Sequence, residues 1–330
     1  MIDKIRIKVL KSNIITIWLI IVLFKLKFKF SALFHGIRSN LFRQDSYYNF
    51  RRNIHRLEKG LSYSEIRSTF AKDYIIESVN YLLNGVAKGT FDTETIAWGI
   101  SVLETYFKQV DKSEEIKEAK IEFEKIIHEN KLKPDSSQIP SISKYRQKVS
   151  ITYDDLLSLS IRRRSVRYFT NQKVDEELIK KAYEVAKFSP SACNRQAFDF
   201  YFYNETEIVQ KISEVPGGVK GYSLPSVIVV IGNYSGYFDE RDVNAPIIDS
   251  SLSTMSFMYA LETLGLSSVC INWPNLPDRE RKIRKIISLK PYQFIVMMIG
   301  VGYPAEEGKI PYSAKRSADS VVKSNKYIKI

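Results

Sequence analysis

The sequence predicts an α-helical N-terminal region followed by a layered domain of helices and strands, of the α+β or α/β class. Two observations support this prediction. Residues 45–131 have the apolar spacing of helices, whereas the block from 151 onward contains both amphipathic helical segments and short apolar strands. Between these two parts lies a polar stretch with two prolines, which is typical of a linker.

Length and composition indicate a folded protein. The chain has 330 residues, of which 44% are hydrophobic and 26% charged, so it has enough apolar surface to bury a core. We divide it into a basic, apolar segment at 1–40, a helical extension at 41–131, a linker at 132–150 and a domain at 151–330. The two cysteines are too few for a disulfide framework and favour a reducing compartment.

Most of the positive charge lies near the N-terminus. The formal net charge is +13, and residues 1–60 hold 13 Lys and Arg against 3 acidic residues. These cations alternate with Ile, Leu, Trp and Phe, a pattern that favours anionic lipid over nucleic acid as the partner. We therefore expect no nucleic-acid binding.

The apolar run at 14–24 has two interpretations. Its 11 residues are too few to span a bilayer, since a spanning helix needs about 20, and no small-residue cleavage site of a signal peptide follows. One interpretation is an interfacial anchor, in which residues 1–30 bind an anionic membrane surface. The other is a helix that packs on the protein's own body or on a dimer partner.

Local patterns within 45–131 predict where helices begin and end. Gly60 is the residue expected just past a helix end, and Ser62 with Glu65 has the spacing of a capping box that starts the next helix. A later segment carries an apolar stripe, which predicts a helix that covers a core. The members of this stripe are Ile116, Ala119, Phe123 and Ile126 or Ile127.

Beyond residue 151 the periodicity predicts a succession of helices and strands. The helices are expected at 174–188, 205–214, 247–264 and 278–287, and the strands at 198–203, 227–231, 268–271 and 294–301. The stretch 216–225 contains glycines between prolines and reads as a loop, either a cover for a substrate or a plain linker.

Three segments of this block suit one anionic ligand. Within 160–169, Arg163, Ser165 and Arg167 alternate, so an extended backbone places them on one face that fits a phosphate group; a solvated basic turn is the alternative. Within 188–196, the amides of Asn194 and Gln196 can read the edge of a heterocycle, although a helix-ending turn also explains them. The third segment is 300–304, where a strand ends in glycines before a basic loop.

The order RRSVR, SPSACNRQ, GLSSVCINW and GVGYP, over roughly 153–323, resembles the flavin-dependent nitroreductase family. The resemblance implies an α+β fold with a central, mostly antiparallel sheet flanked by helices, and a homodimer that binds FMN at its interface. It also implies hydride transfer from NAD(P)H through flavin N5 to a small-molecule acceptor, such as a nitroaromatic or a quinone, in a ping-pong cycle. Residues 45–70 resemble an N-terminal extension of a subset of that family.

The resemblance further implies which residues bind FMN. One group holds the phosphate and the ribityl chain, a second belongs to a loop that reaches the flavin across the dimer interface, and a third lies beside the isoalloxazine ring. In that order these residues are Arg163, Arg164, Ser165, Arg167 and Arg316; Pro190, Ser191, Asn194 and Gln196; and Ile271 and Asn272.

Two departures from the family pattern support an alternative function. Ala197 and Phe198 stand where the family often has Pro-Trp, and Ala314 stands where many members have Lys. The alternative is a scaffold or binding protein at the membrane surface that keeps the fold but has no redox activity.

The leading hypothesis is a cytoplasmic oxidoreductase, peripheral to the inner face of the membrane. The flavin carries the reaction, so no catalytic side chain is expected. Cys193 is expected to be a packing residue rather than a redox thiol, and Cys270 a buried strand residue.

Overall fold

The computed structural model describes residues 15–42, 46–110, 113–219 and 221–324. Within these ranges, the N-terminal part contains five helices: α1 (Ile15–Phe42), α2 (Tyr47–Leu61), α3 (Ile75–Ala87), α4 (Thr93–Gln109) and α5 (Glu114–Glu129). The C-terminal part contains α6 (Tyr153–Arg162), α7 (Glu176–Ala186), α8 (Thr206–Ser213), α9 (Ala245–Thr263), α10 (Pro277–Ile283) and α11 (Ala318–Val321). Its strands are β1 (Phe198–Tyr203), β2 (Ser226–Asn233), β3 (Ser267–Asn272) and β4 (Gln293–Gly302).

The four strands form one sheet in the order β1-β2-β4-β3, and every neighbouring pair is antiparallel. All eight residues of β2 are buried, because helices cover both faces of the sheet. Val227, Val229 and Ile231 face a core shared with α8 and α10, whereas Ile228 and Val230 face a core shared with α7 and α9. The α+β prediction is therefore confirmed, and the α/β alternative does not apply to the described sheet.

The helical region has a hydrophobic core of its own. Phe50, Ile54 and Leu57 on α2 pack against α3 and α4 in this core. The apolar stripe predicted for α5 is confirmed, since its four positions are buried: Ile116, Ala119, Phe123 and Ile126. Irregular, mostly exposed backbone with one 3-10 turn at Ser143–Tyr145 connects this region to the sheet domain.

The predicted helix boundary at Gly60 and Ser62 is wrong. Helix α2 continues through Gly60 to Leu61, and the next helix begins only at Ile75. The hydroxyl of Ser62 donates to the carbonyl of Glu58 at 2.7 Å, so it binds the helix behind it and does not cap a new one. The helix predicted at 278–287 also ends early, at Ile283.

Helix α1 packs on the sheet domain through its C-terminal half. Ala32 and Gly36 are buried there, and the Asn40 amide donates to the carbonyls of Ser235 and Tyr237 at 3.2 and 3.1 Å. This half therefore follows the interpretation of a helix packed on the protein's own body. Lipid contact by the N-terminal residues stays a prediction, and residues 1–14 lie outside the described part of the chain.

Helix α1 begins with a long apolar run, yet it does not meet the requirements of a membrane span. Within the described residues, no helix is long and apolar enough to cross a bilayer.

Replacing Gly36 by Leu is expected to separate α1 from the sheet domain. A side chain at this position would begin 2.4 Å from Cβ of Tyr234 and 2.6 Å from its carbonyl carbon, and backbone cannot give way easily. Overpacking of this kind costs about 1–3 kcal/mol in the free energy of unfolding. The matched control is Ser31→Leu, at an exposed site of the same helix. Urea denaturation that shows equal stability for both variants would contradict this packing.

Candidate functional site

The first part of the candidate site is the extended segment that follows α6. The backbone becomes extended at Arg163, and the N–H of Val166 donates to the carbonyl of Ser268 on β3 at 3.1 Å. Val166 is buried, while the residues on either side of it, Ser165 and Arg167, are half-buried. The segment thus lies along the edge strand in the extended, alternating geometry expected from the sequence.

The arginines of this segment differ in their hydrogen-bond partners. The Nε of Arg163 is buried and has no hydrogen-bond partner among the described residues. Arg167 donates from Nε to the hydroxyl of Tyr222 at 2.9 Å and from Nη1 to the carbonyl of Ser165 at 3.1 Å. A buried donor without an acceptor is costly, so an anion at Arg163 would satisfy an unmet requirement of this chain.

A groove of about 310 Å³ lies beside these residues. It is lined by residues 216–219 and Tyr222 on one side, and by Ile271 and Asn272 of β3 on the other. Tyr222 both lines the groove and accepts the hydrogen bond from Arg167, so the phosphate-type cluster and the groove adjoin. Residues 216–219 and Tyr222 thus form a wall of the groove, and the role of this loop as a cover stays a prediction.

Cys270 corrects one expectation. The sequence predicts a buried strand residue, but Cys270 is exposed, as is Asn272 two positions on. Strand β3 lies at the edge of the sheet, and the chain leaves this face of its C-terminal half uncovered. The groove therefore has one open side.

The second part of the site is the loop 190–196. Cys193, Asn194 and Gln196 all have left-handed backbone, with φ of 52°, 51° and 53°. Such conformations cost about 1–3 kcal/mol each in residues other than glycine and persist where surrounding contacts hold them. Within the loop, the Gln196 amide donates to Oδ1 of Asn194 at 3.0 Å and the backbone N–H of Gln196 donates to Oγ of Ser191 at 3.2 Å.

A buried carboxylate holds the beginning of this loop. Oδ2 of Asp249, in the first turns of α9, accepts hydrogen bonds from the N–H of Ala192 at 3.0 Å and from the hydroxyl of Tyr237 at 3.2 Å. Burial raises the pKa of Asp249, and these hydrogen bonds with the nearby charge of Arg195 offset part of that effect. Sequence reasoning missed Asp249, although an acid in the first turns of an apolar helix is an available signal.

Arg195 is a second residue that the sequence did not single out. Its side chain is buried, lies 4.9 Å from the Tyr237 ring centroid and donates to the carbonyl of Ala192 at 3.1 Å. It therefore supports the loop from inside the fold, and it does not face solvent as the adjacent amides partly do.

The two parts of the site lie at opposite ends of α9. Asp249 binds the loop near the start of this helix, and Glu262 pairs with Arg162 at 3.5 Å near its end. Thirteen residues at 1.5 Å per residue separate these contacts by about 20 Å. One chain therefore brings Arg163, Ser165 and Arg167 next to Ile271 and Asn272, but leaves Asn194 and Gln196 apart from them.

One predicted residue contacts the C-terminal tail and another belongs to it. Arg164 donates to the carbonyls of Pro311 and Tyr312, which ties the tail to the body. Arg316 is exposed and donates to the carbonyl of Ser320 within the tail at 2.8 Å. Their contact with a cofactor stays a prediction, as it does for Pro190 and Ser191 in the loop.

Comparison with known proteins identifies the family. The model described as "Nitroreductase family" matches residues 161–218 and 220–303, which include both parts of the site. A protein of Methanothermobacter thermautotrophicus named "Putative NADH dehydrogenase/NAD(P)H nitroreductase" is 31% identical over 153 residues, covering 46% of this chain and 78% of its own. The chain belongs to the nitroreductase family. Nitroreductases are oxidoreductases, and in this member an N-terminal helical region precedes the α+β nitroreductase fold.

The chain is also similar to other relatives and to solved structures. A Staphylococcus aureus protein named "NADPH-dependent oxidoreductase" is 23% identical, covering 53% of this chain and 74% of its own. A solved structure from Clostridium difficile, titled as an FMN-dependent nitroreductase, is 20% identical with a TM-score of 0.45, covering 52% of this chain and 99% of that one. The matched residues of the family model do not include the helical region or Arg316.

Replacing Asp249 by Asn is expected to change how stability depends on pH. Because the folded-state pKa of Asp249 is raised above its ordinary value of 3.8, the folded protein binds the proton more tightly than the unfolded chain. Its contribution to stability is therefore lost as pH rises from about 4 through the raised pKa. The Asn side chain keeps an acceptor oxygen without the buried charge, so the variant gains in unfolding free energy relative to wild type as pH increases. Parallel pH profiles from chemical denaturation would contradict the burial of this charge.

Proposed function

We propose that this nitroreductase is an FMN-dependent enzyme that takes hydride from NAD(P)H and passes it to a small conjugated acceptor, such as a nitroaromatic or a quinone. The observation that carries the proposal is the buried, unpartnered Nε of Arg163 beside the open groove, in a chain that belongs to this family. When bound, FMN supplies at N5 an atom that accepts and then donates hydride, in two successive half-reactions.

The phosphate end of FMN fits the segment that follows α6. Arg163 offers an unsatisfied buried donor, and the half-buried Ser165 and Arg167 lie on the same side of the segment, opposite Val166. A guanidinium fork and a hydroxyl are the donors that bind a phosphate group in proteins. These residues bind and orient the cofactor, and no proton transfer is assigned to them.

The ring end of FMN fits the groove. Ile271 supplies a buried apolar surface on β3, and Asn272 supplies an exposed amide with both a donor and an acceptor. Flat heterocycles are recognised by this combination of apolar contact and a few polar groups. The open side of the groove leaves room for a nicotinamide and an acceptor to bind there in turn.

A second copy of the chain would complete the site. No residue of the described helix α6 is buried, and its Leu156, Leu157 and Ile161 are exposed, as are Ile248 and Leu252 on α9. Exposed apolar side chains on two helices that pack on each other are typical of a subunit interface. We propose a homodimer in which the loop 190–196 of one subunit reaches the groove of the other.

The test of the proposed function is the colour and reactivity of the purified protein. Wild-type protein is expected to carry, or to take up, FMN with its visible absorbance bands, and these bands should bleach when NADH or NADPH is added under anaerobic conditions. Protein that stays colourless and cannot be reconstituted with FMN would overturn the proposal. That outcome would favour the scaffold alternative, for which Ala197 and Ala314 are the supporting residues.

Replacing Arg163 by Ala is expected to weaken FMN binding. Hydrogen bonds to charged groups contribute about 1.5–3 kcal/mol, so the Kd for FMN should rise roughly 10–100-fold in a flavin-fluorescence titration. The matched control is Arg241→Ala, since Arg241 is exposed and pairs with Asp239 away from the groove. Equal FMN affinity in both variants would remove Arg163 from the phosphate site.

We also propose that the enzyme is cytoplasmic and that α1 brings it to the inner membrane surface. Leu19, Ile20, Leu23 and Phe24 are exposed, and Lys25 and Lys27 follow them directly. An apolar patch next to cations is the pattern of a segment that lies in the interface of an anionic bilayer.

Replacing all four exposed residues, Leu19, Ile20, Leu23 and Phe24, by Ser is expected to abolish binding to vesicles. The measurement is co-sedimentation with vesicles of phosphatidylglycerol, with phosphatidylcholine vesicles as the neutral comparison. The control variant is Ile121→Ser, at an exposed apolar site on α5. Wild-type protein that does not co-sediment with the anionic vesicles, or a quadruple variant that still does, would reject the membrane proposal.

A further inference from the structure

The helical region contacts the loop 190–196 through the side chain of Arg51. This residue lies on α2 and is buried, and its Nε donates to the carbonyl oxygen of Asn194 at 3.1 Å. The two residues are 143 positions apart in the sequence, on opposite sides of the linker. The hydrogen bond therefore joins the helical region to the part of the chain that the family model covers.

Arg51 is itself held from three sides. Its Nη1 donates to Oγ1 of Thr95 at 2.6 Å, and its guanidinium carbon lies 5.1 Å from the Trp98 ring centroid and 5.6 Å from that of Tyr47. A planar guanidinium stacked on aromatic rings and anchored at one nitrogen has little freedom to move. Its Nε is thus presented to Asn194 in a fixed direction.

The charged carboxylate of Asp92 binds two of the side chains that contact Arg51. Burial would raise the pKa of Asp92, but hydrogen bonds from Tyr47 and Thr95 and the nearby charge of Arg51 lower it overall. Oδ2 of Asp92 accepts from the Tyr47 hydroxyl at 2.7 Å and from the Thr95 hydroxyl at 2.9 Å. Two of the side chains that fix Arg51, Tyr47 and Thr95, are in this way held by a common acceptor.

The carbonyl that Arg51 binds belongs to a residue with left-handed backbone. Asn194 has a φ of 51°, its neighbour Cys193 has a φ of 52°, and an ordinary residue leaves such conformations when its contacts are removed. The carbonyl hydrogen bond sets the orientation of the peptide unit at Asn194. The Asn194 side chain in turn accepts the hydrogen bond from the Gln196 amide.

We propose that Arg51 is a positioning residue, which holds the loop 190–196 in the conformation that presents the amides of Asn194 and Gln196 to the flavin. The helical region α2–α5 thereby braces the cofactor site. The part of this inference that concerns the flavin rests on the proposed function, whereas the part that concerns the loop does not.

The experiment measures the loop without any cofactor. In full-length, FMN-free protein, the alkylation rate of Cys193 by iodoacetamide is followed by peptide mass spectrometry, which separates it from the exposed Cys270. Arg51→Ala is expected to raise the rate at Cys193 about tenfold, because loss of a charged hydrogen bond frees the loop. Thr95→Ala removes an acceptor of Arg51 but leaves Asn194 untouched, and should raise the rate by a smaller factor.

The control variant is Ser78→Ala. Ser78 is buried in the same helical region, where its hydroxyl donates to the carbonyl of Tyr74 at 2.6 Å, and no described contact joins it to the loop. It should lower thermal stability without changing the rate at Cys193. If Arg51→Ala raises that rate no more than Ser78→Ala does, the bracing role is overturned, whatever the protein does with FMN.

A second measurement concerns the flavin. In a wild-type protein that binds FMN, the Kd is expected to rise about tenfold in Arg51→Ala and also to rise in Arg51→Lys, whose single ammonium cannot bind Thr95 and Asn194 in the same geometry. Ser78→Ala should bind FMN as wild type does. An unchanged Kd in both Arg51 variants would overturn the positioning role. A wild-type protein that binds no FMN, together with faster labelling of Cys193 in Arg51→Ala, would overturn the proposed function and support the brace alone.

Discussion

Strand β2 is buried along its whole length, on both faces and on both edges, and this burial determines the layout of the domain. A strand with apolar side chains on both faces is stable only between two layers of helices. One of those layers contains α9, which crosses the sheet and reaches the loop 190–196 at one end and Arg162 at the other. The two parts of the site are thus separated because α9, which covers one face of the core, contacts one part at each of its ends.

The order of the strands has a second consequence. With β2 and β4 in the centre, β3 becomes an edge, and an edge strand exposes backbone groups that another segment can pair with. The segment around Ser165 and Val166 pairs with part of that edge. The groove and the arginines are consequently neighbours, although about 100 residues separate them in the sequence.

The parts of the fold that the sequence predicts well are those set by local periodicity. The apolar run of β2 and the stripe of α5 are each recognisable, since a strand buried on both faces is a short continuous apolar run and a helix buried on one face repeats about every 3.6 residues. The role of Ser62 is ambiguous in the sequence, because a hydroxyl near a helix end can cap the next helix or bind the previous one, and both options have the same local pattern. The exposure of Cys270 is not predictable in the same way, because the sequence of a strand does not say which of its faces a neighbouring element covers.

In the candidate site, too, the sequence predicts the residues that form a local pattern and misses those whose role depends on a distant contact. Arg163, Ser165 and Arg167 were found because an alternating pattern of donors is visible within a few residues. Asp249 and Arg51 were not, because what gives them a role is a hydrogen bond to the loop from 57 and 143 positions away. Nothing in the run of arginines on α2 distinguishes the one that reaches Asn194 from those that stack on Phe238 and Tyr74.

The contacts of α1 and α2 with the sheet domain also bear on how this protein can be divided. The irregular stretch at 132–150 is the obvious place to cut the chain, and a fragment that begins there would contain every residue of the family match. Such a fragment would nevertheless lose Asn40 from the carbonyls of Ser235 and Tyr237, Tyr48 from Asn233, and Arg51 from Asn194. Tyr237 is also the residue that donates to Asp249. The helical region and the nitroreductase domain are modular in sequence but not in structure, so a recombined or shortened version would have to carry its own replacement for these contacts.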